Sequence, residues 1–318
     1  MLIVVALGGN AVSPPDHMGN IDEQFAATRR AARPLADLIV QGHQLVITHG
    51  NGPQVGNVML RVEIAARQNV YRLPLDIAVA DTEAGMGYMI GQCLMNELAE
   101  RGTPRICATI ITTVRVDADD PALSDPTKPV GPFLSLEQAQ EHARENGWIM
   151  KAEPPRGWRR VVPSPRPREI VELSLLKKLV AGGEIVVAAG GGGIPVVRDA
   201  GGHYRGVEAV IDKDYTSGLL ASALEADRLL ILTGVDRMER DFGKPTAEPI
   251  DALTPDEAEN LLAQGQFPAG SMGPKVRAAV DFVRGSPKPS SDVLITSCER
   301  LAESFQGKTG TRIARRFA

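Results

Sequence analysis

Short apolar runs alternate along this chain with longer segments whose apolar residues recur at helical spacing. The first run, residues 2–7, is continuous, and residues 44–48 and 229–232 are of the same kind. Such runs predict strands that are buried on both faces of a sheet. The segment 21–41 carries an apolar stripe, which predicts a helix packed on that sheet. The alternation of strands and helices predicts right-handed crossovers and a parallel sheet.

The same alternation continues to the end of the chain. Further strands are predicted over residues 105–112, 184–189, 207–211 and 293–295. Further helices are predicted over residues 81–101, 136–146, 170–180 and 255–263, and behind Pro53, Asp214 and Lys275. The charged triplet 212–214 would then lie between a short buried strand and a helix, where α/β proteins place their chemistry. We expect Asp214 to cap that helix.

Residues 116–167 differ in amino-acid composition from the segments on either side. They are rich in proline and in charged residues, and they contain one short amphipathic helix. Because proline restricts the backbone and interrupts ladders, we interpret this stretch as an insertion that protrudes from the sheet. It is expected to act as a lid over a ligand, and the alternative is an excursion with no role. No linker divides the chain, so we predict a single domain over residues 1–318.

Composition and charge narrow the class of protein. The chain is 43% hydrophobic and 23% charged, the profile of a soluble globular protein. Its 35 basic and 39 acidic residues, net −4, give no reason to expect nucleic acid or a membrane surface as a partner. The 3 cysteines and 5 histidines have no metal-ligand spacing, so no protein metal site is predicted. The N-terminal run is read as a strand rather than a signal peptide, and we expect a cytoplasmic protein.

Four glycine-rich turns, residues 8–10, 50–52, 190–193 and 270–273, are each predicted to follow a strand on one edge of the sheet. Glycine lets backbone N–H groups approach an anion closely, and the helix N-termini behind such turns add partial positive charge. One glycine turn is more often only a turn. Four on one edge, with Lys213 and Lys275 beside two of them, predict a binding edge for a polyphosphate.

Familiar phosphate motifs do not account for these turns. The triplet 307–309 reads Gly-Lys-Thr, but a Walker A motif would need glycine at position 302, which is alanine. No Gly-x-Gly-x-x-Gly follows the first strand, which argues against a standard dinucleotide fold. The chain instead resembles, over nearly its full length, the carbamate kinases of the amino-acid kinase family. The matching segments are residues 5–11, 48–56, 125–131, 160–165, 190–195, 206–214 and 270–275.

The resemblance implies a three-layer αβα sandwich around a mostly parallel sheet, with the lid at about residues 116–167, and a homodimer. It implies Mg²⁺-dependent, reversible phosphoryl transfer between carbamoyl phosphate and ADP, which gives ATP and carbamate. Two other readings stay open: a kinase of the same fold with a different carboxylate acceptor, and a non-catalytic nucleotide-binding sensor. A sensor would need only to bind, so the full set of charged site residues argues against it.

The resemblance also assigns roles to residues. The catalytic set is Lys128, Lys213, Asp214 and Lys275. Lys213 and Lys275 are expected to neutralise the phosphates, and Asp214 to orient these two lysines. Lys128, which belongs to the lid, is expected to approach the site from the opposite side when the lid closes. The residues expected to bind the transferred phosphoryl group and the acceptor are Gly8, Gly9, Asn10, Gly50, Asn51, Gly52, Gly191 and Gly192. Those expected to bind the nucleotide are Thr233, Gly234, Val235, Asp236, Met272 and Gly273.

Three positions depart from the family pattern. Residues 79–85 read Val-Ala-Asp-Thr-Glu-Ala-Gly where the family often has a Cys-Gly-Ala-Met-Ser type run, and Arg115 stands where glutamine is frequent. Many amino-acid kinases carry a lysine two residues before the first Gly-Gly, and here that position is Ala6. Because phosphoryl transfer still needs the cation, we expect Lys128 to replace it.

Overall fold

The structure, a computed structural model, describes residues 1–12, 19–268 and 270–317, the side chains of Asn10 and Ala11 excepted. The strands, in chain order, are β1 (Leu2–Leu7), β2 (Gln44–His49), β3 (Cys107–Ile110), β4 (Thr113–Val116), β5 (Lys128–Leu134), β6 (Ile149–Glu153), β7 (Gly157–Val162), β8 (Pro167–Ile170), β9 (Ile185–Ala188), β10 (Ile194–Arg198), β11 (Tyr204–Gly206), β12 (Arg228–Leu232), β13 (Met238–Arg240), β14 (Glu248–Ile250), β15 (Ala252–Leu253), β16 (Asp292–Thr296) and β17 (Thr311–Ala314). The helices are α1 (Gly9–Val12), α2 (Ile21–Val40), α3 (Gly52–Ala66), α4 (Leu75–Glu100), α5 (Leu136–Asn146), α6 (Leu173–Ala181), α7 (Lys213–Ala223), α8 (Pro255–Ala263), α9 (Met272–Gly285) and α10 (Leu301–Phe305). Across the described residues, no helix combines the length and the apolarity of a membrane span.

The central sheet has eight strands within the described residues, in the order β15-β17-β16-β12-β1-β2-β9-β3. Neighbouring strands run parallel, except that β16 and β17 pair antiparallel. The carboxyl ends of β1, β2, β9 and β12 therefore lie on one edge of the sheet. Since ligands of open α/β sheets bind at this edge, the topology fixes where a site can form.

Alternate residues of β1 face opposite layers. Val4 and Ala6 belong to a buried cluster shared with α7, α8 and α9. Ile3, Val5 and Leu7 belong to a second cluster shared with α2 and α4. Both faces of the strand are thus covered by helices, which is why its sequence is a continuous apolar run rather than an alternating one. The predicted three-layer αβα sandwich with a mostly parallel sheet is confirmed.

Residues 113–206 add two smaller sheets beside the central one. One has the order β11-β10-β4-β8, and the other has the order β5-β7-β6 and is joined by helix α5. We call β5, α5, β6 and β7 the three-stranded module. Its strand β5 lies against α3, where a Cβ on Gly56 would come within 2.0 Å of the Cα of Gly131. Only glycine at position 56 permits this approach, so the sequence of α3 is adapted to the docked module.

Several predicted boundaries are wrong. The long helix α4 begins at Leu75 rather than at residue 81, and the N–H of Leu75 donates to Oε2 of Glu208 at 3.2 Å. The predicted strand 105–112 ends at Ile110, and the chain then enters the smaller sheet at Thr113. The predicted helix 170–180 begins only at Leu173, after β8.

The predicted strand 207–211 does not form, although Ala209, Val210 and Ile211 are fully buried. The backbone N–H of Val207 donates to the carbonyl of Pro195, and that of Val210 donates to the carbonyl of Pro163. Because these bonds go to separate segments, no ladder develops. The apolar run was a correct sign of burial and a wrong sign of strand pairing.

Candidate active site

Three glycine turns meet at the carboxyl edge of the central sheet. A Cβ on Gly8 would lie 2.7 Å from the carbonyl oxygen of Leu232 in β12, and one on Gly50 would lie 3.3 Å from the side chain of Lys213. The third turn begins at Gly190, directly after β9. Helices α1, α3 and α7 begin at this same edge. Their first N–H groups have no partner within the helix and confer partial positive charge on the edge.

The fourth predicted turn reaches this place by a different route. Residues 270–273 follow α8 rather than a strand, so the prediction that all four turns end strands is wrong. The turn leads into α9, which packs against α7. Met272 and Lys275 consequently lie with Gly8 and Gly9 around one cavity.

Lys213, Asp214 and Lys275 form one ionic cluster at the start of α7. The Nζ of Lys213 donates to Oδ1 of Asp214, and the Nζ of Lys275 donates to Oδ2 of the same carboxylate at 3.1 Å. The side chains of Lys213 and Asp214 are only 8% and 4% exposed, and that of Lys275 is 15% exposed. One carboxylate therefore holds two ammonium groups in fixed positions at the edge of the sheet.

Burial and pairing compete within this cluster. Burial opposes the charge of Asp214, but the ammonium groups of Lys213 and Lys275 outweigh it and hold the pKa of the carboxyl below its ordinary value. Burial lowers the pKa of Lys213, and pairing with Asp214 only partly offsets it. The more exposed Lys275 is also desolvated, but Asp214 raises its pKa on balance. Lys213 is thus the cation that depends most on its carboxylate partner.

Lys128 approaches the same helix start from the three-stranded module. Its Nζ donates to Oδ2 of Asp212 at 2.8 Å, and the two side chains are 21% and 20% exposed. The other oxygen of Asp212 accepts the N–H of Asp214 at 2.9 Å, so Asp212 is the N-cap of α7. The expectation that Asp214 is the cap is wrong, because Asp214 is the second residue of α7 and its carboxylate accepts from the lysines. Burial opposes ionisation of Asp212, but Lys128 outweighs it and keeps the pKa of the carboxyl low.

The turns after β2 and β9 pack directly on each other. A Cβ on Gly191 would lie 2.3 Å from Nδ2 of Asn51, and one on Gly192 would lie 2.5 Å from the carbonyl oxygen of Ile211. Gly191 and Gly192 also have positive φ values of 67° and 92°. Side chains are excluded here on both counts. Gly52 is the first residue of α3, and the side chain of Asn10 lies outside the described part of the chain.

A cavity of about 380 Å³ opens beside the cluster. Its walls include seven of the predicted residues: Gly8, Gly9, Thr233, Gly234, Val235, Met272 and Lys275. Two of the predicted nucleotide residues do not line it. Asp236 accepts a hydrogen bond from the hydroxyl of Ser297, and the N–H of Gly273 donates to the carbonyl of Pro268 at 2.9 Å.

Sequence reasoning missed most of the outer wall of this cavity. The missed lining residues are Arg237, Met238, Glu239, Phe242, Gln266, Phe267 and Pro268, whereas Gly270 and Ser271 belong to the fourth predicted glycine turn. Phe242 is 58% exposed, but this exposure is known only from the fold, so the sequence offers no signal that marks it. The cavity has the size and the mixed apolar and polar lining of a small-molecule site.

The oxygens of Asp212 and Asp214 are already paired with groups of the protein. Both oxygens of Asp214 accept from lysines, and those of Asp212 accept from Asp214 and Lys128. No group of three or more histidine, cysteine, aspartate or glutamate residues that could hold a metal occurs within the described ranges. What the arrangement offers instead is positive charge, from three ammonium groups and several helix N-termini. Such a site is suited to a ligand that gains or moves negative charge on phosphate oxygens.

Residues 1–291 match the amino acid kinase family, and the chain belongs to this family. A carbamate kinase of Thermococcus kodakarensis is 45% identical over 98% of this chain and 99% of its own length. A carbamate kinase of Pyrococcus horikoshii is 43% identical over 98% of both chains. The structure of a carbamate kinase from Giardia lamblia bound to AMP-PNP is similar with a TM-score of 0.88, at 39% identity over 98% of both chains.

Proposed function

We propose that this chain is an enzyme that transfers a phosphoryl group reversibly between carbamoyl phosphate and ADP, giving ATP and carbamate. The observation that carries the proposal is the Lys213–Asp214–Lys275 cluster beside a nucleotide-sized cavity. The chain is also similar over its whole length to carbamate kinases. This similarity favours carbamate as the acceptor over another carboxylate, and the three assembled lysines favour catalysis over sensing.

ADP occupies the cavity, with its phosphates directed toward Gly8 and Lys275. Lys213 and Lys275 neutralise the oxygens of the transferred group, and Asp214 keeps both lysines in place. Phosphoryl transfer needs such positioning and charge stabilisation more than covalent participation by the protein. The carbamoyl part lies toward Gly50 and Asn51, on the opposite side of Lys213 from the nucleotide.

Mg²⁺ belongs to this proposal as part of the nucleotide substrate. Bound with the nucleotide, it would reduce the negative charge of the phosphates, and magnesium in such sites is held largely by the substrate and water. The saturated hydrogen bonding of Asp212 and Asp214 supports this assignment over a resident protein site.

We further propose that the three-stranded module acts as the lid and that Lys128 is its contribution to the transferring phosphoryl group. The docked position beside α3 and the ion pair with Asp212 support this assignment. Closure of the lid would then complete the site.

A homodimer and a cytoplasmic location complete the proposal. Strand β3 is an outer strand of the central sheet, and the flanking Ile106 and Ile111 are 74% and 43% exposed. Tyr88, on the neighbouring helix α4, is 62% exposed. Because exposed apolar sheet edges favour association, we assign this face to the partner subunit. Light scattering of the purified protein measures the mass directly.

The assay for the function is ATP formation from ADP and carbamoyl phosphate in the presence of Mg²⁺. Acetyl phosphate and acylated amino-acid phosphates serve as alternative donors, and Lys213→Ala serves as the protein control. We expect ATP from carbamoyl phosphate at a rate far above the other donors and above the variant. A folded, Mg²⁺-saturated preparation that turns over another donor but not carbamoyl phosphate would identify a different acceptor. A preparation that binds nucleotide without any turnover would identify a sensor.

A further inference from the structure

One turn of α4 touches two of the three glycine turns of the site. The Nδ2 of Asn51 donates to Oγ1 of Thr82 at 2.9 Å, and the N–H of Gly190 donates to Oε1 of Glu83 at 2.9 Å. Thr82 and Glu83 are only 6% and 1% exposed. Neighbouring side chains of a single helix therefore hold the turn after β2 and the turn after β9 in register with each other.

Glu83 also holds the connection between β3 and β4. Its Oε1 accepts the N–H of Thr112 at 3.2 Å, and the hydroxyl of Thr112 in turn accepts the N–H of Ala189 at 2.8 Å. The carboxyl oxygen Oε1 thus joins main-chain groups from two separate strand ends. Removing this acceptor would leave two buried N–H groups unsatisfied, which is costly.

The second carboxyl oxygen of Glu83 has no counter-charge. Oε2 is buried without a hydrogen-bond partner, and so is Nε2 of His49. Both side chains lie against Gly190, where a Cβ would come within 2.3 Å of Nε2 of His49 and 2.9 Å of Cγ of Glu83. The Nδ1 of His49 is paired with the carbonyl oxygen of Gly50 at 3.2 Å. Nothing charged therefore compensates an ionised Glu83 at this point among the described residues.

Burial decides the protonation of both groups. It raises the pKa of Glu83 to about 8, although the N–H groups of Thr112 and Gly190 favour the anion. Burial also lowers the pKa of His49 to about 4. The other charged groups that act on the pair are Glu172, ahead of α6, which further raises the pKa of Glu83, and Lys213 of α7, which further lowers that of His49. Both side chains are neutral near neutral pH.

We propose that Glu83 is a positioning residue that holds the Gly190 turn against Asn51 in its protonated form, and that its ionisation, which leaves an uncompensated charge on the buried Oε2, disables the phosphate side of the site. An ionised Oε2 would place negative charge behind the turn that faces an anionic substrate. It would also demand solvation in a place closed to water, so the turn would have to shift. The inference rests on the proposed kinase activity. It adds an upper pH limit to that activity, set by the ionisation of Glu83.

The kinetic test compares Glu83→Gln with the wild type. Glutamine keeps an oxygen for Gly190 and Thr112 but cannot ionise. For the wild type we expect kcat/KM for carbamoyl phosphate to fall above about pH 8, approaching tenfold per pH unit as for loss of one proton. In Glu83→Gln this alkaline fall of kcat/KM, which we call the alkaline limb, should begin at least about one pH unit higher. Most of the activity at pH 7 should be retained. Glu83→Leu, which lacks the acceptor, should lose about 10- to 100-fold at every pH.

Glu97→Gln is the matched control, because Glu97 is on the same helix, is 3% exposed and pairs with Arg101 away from the site. It should keep the wild-type alkaline limb. A limb shared by the wild type and Glu83→Gln would overturn the proposal and assign the alkaline loss to another group, with Lys213 as the first to examine. So would a Glu83→Leu variant that is folded and fully active.

A second readout does not require turnover. Between pH 4.5, the ordinary pKa, and about pH 8, the folded protein keeps the proton on Glu83 that the unfolded chain has lost. The contribution of Glu83 to stability is therefore fully present below pH 4.5 and is lost as pH rises through about 8. His49 is common to both proteins and cancels in the comparison. We expect the Tm of Glu83→Gln to gain on that of the wild type as pH rises through this window, and a constant difference would refute the protonated state even if the enzyme used another substrate.

Discussion

Removing the negative charge of Asp214 is the sharpest test of how the lysine cluster works. Asp214→Asn keeps the shape of the side chain and one carbonyl oxygen, but it leaves Lys213 and Lys275 without their common counter-charge. Burial already lowers the pKa of Lys213. Without Asp214, the pKa of Lys213 should fall further, and the lysine should stabilise the phosphoryl group less well.

The size of the effect follows from the contacts. Each hydrogen bond between charged groups contributes about 1.5–3 kcal/mol, and removing one member of a buried ionic pair costs about 3–5 kcal/mol of stability. We expect a loss of about 3 kcal/mol for Asp214→Asn, at the lower end of this range, since its oxygen still accepts from one lysine. Loss of one preorganised cation should lower kcat by about 10²- to 10³-fold. The effects of Asp214→Asn and Lys213→Ala should not add, because the carboxylate acts through the lysine.

The chain contains a matched control at the other end of the sheet. Asp292 is 3% exposed and also holds two cations, with Arg228 at 2.6 Å and Arg312 at 2.6 Å. It begins β16, so it lies at the edge opposite the site. Asp292→Asn should lose comparable stability but keep the kcat of the folded fraction. The measurements are Tm with and without AMP-PNP, and steady-state ATP formation from ADP and carbamoyl phosphate.

Two results would refute the reasoning. A kcat for Asp214→Asn within about threefold of the wild type would mean that the lysines do not depend on the carboxylate. Equal loss of kcat in Asp292→Asn would mean that the effect is one of general stability. The nucleotide provides a further check, because bound phosphates supply anionic charge to the unpaired lysines. AMP-PNP should therefore raise the Tm of Asp214→Asn more than that of the wild type.

Lys128→Ala should lower kcat by about 10²-fold while the Kd of ADP changes less than about threefold, because the lysine belongs to the module and not to the cavity. Lys151→Ala, an exposed lysine of the same module, is the control, and equal kcat values for the two variants would contradict the assignment. Gly56→Ala should push β5 away from α3 and lower kcat/KM for carbamoyl phosphate by about tenfold or more. Gly85→Ala, at an exposed helical position with no atom within 4 Å of its Cβ, should instead add about 0.5–1 kcal/mol of stability, and similar kinetics for both glycine variants would show that docking of the module is unimportant.

The sequence predicts best where one periodicity decides the structure. Strand β1 is apolar at every position because helices cover both of its faces, and the run alone predicts that. Helix α5 begins and ends where predicted, since Ser135 and Gln138 form a capping box and Gly147 takes the left-handed conformation. These signals are local, so a reader needs no other part of the chain to interpret them.

Prediction fails where a distant group decides the structure. Pro74 and Asp76 are only weak local signals for the start of α4, whose first turn is held by Glu208, more than a hundred residues away. The segment 207–211 has the apolar pattern of a strand, but its N–H groups find carbonyls in β10 and near Pro163. The fourth glycine turn is predicted to follow a strand, but it follows α8 and reaches the site at the start of α9.

The residues of the site also differ in whether local or distant groups determine their positions. The glycines of the site can be recognised in the sequence, because close packing of backbones excludes any Cβ at these positions, as at Gly8 and Gly191. The spatial partners of the charged residues do not, since Lys128 meets Asp212 over a separation of 84 residues and Lys275 meets Asp214 over 61. The resemblance to a family supplied those residues as candidates. It could not supply the outer wall of the cavity, where Phe242 and Phe267 lie on segments without a recognisable pattern.

Glu83 shows why burial must be known before chemistry can be assigned. In the sequence it is one of 39 acidic residues, on a helix whose other acidic residues include the exposed Asp81 and Glu100. Only the fold encloses it between three strand ends, gives its Oε1 two main-chain donors and leaves its Oε2 with none. A carboxyl group in such surroundings is stable as an acid rather than as an anion. The same residue type therefore serves as a fixed charge in Asp214 and as a neutral acceptor in Glu83, and what separates the two is the presence of lysine beside one of them and its absence beside the other among the described residues.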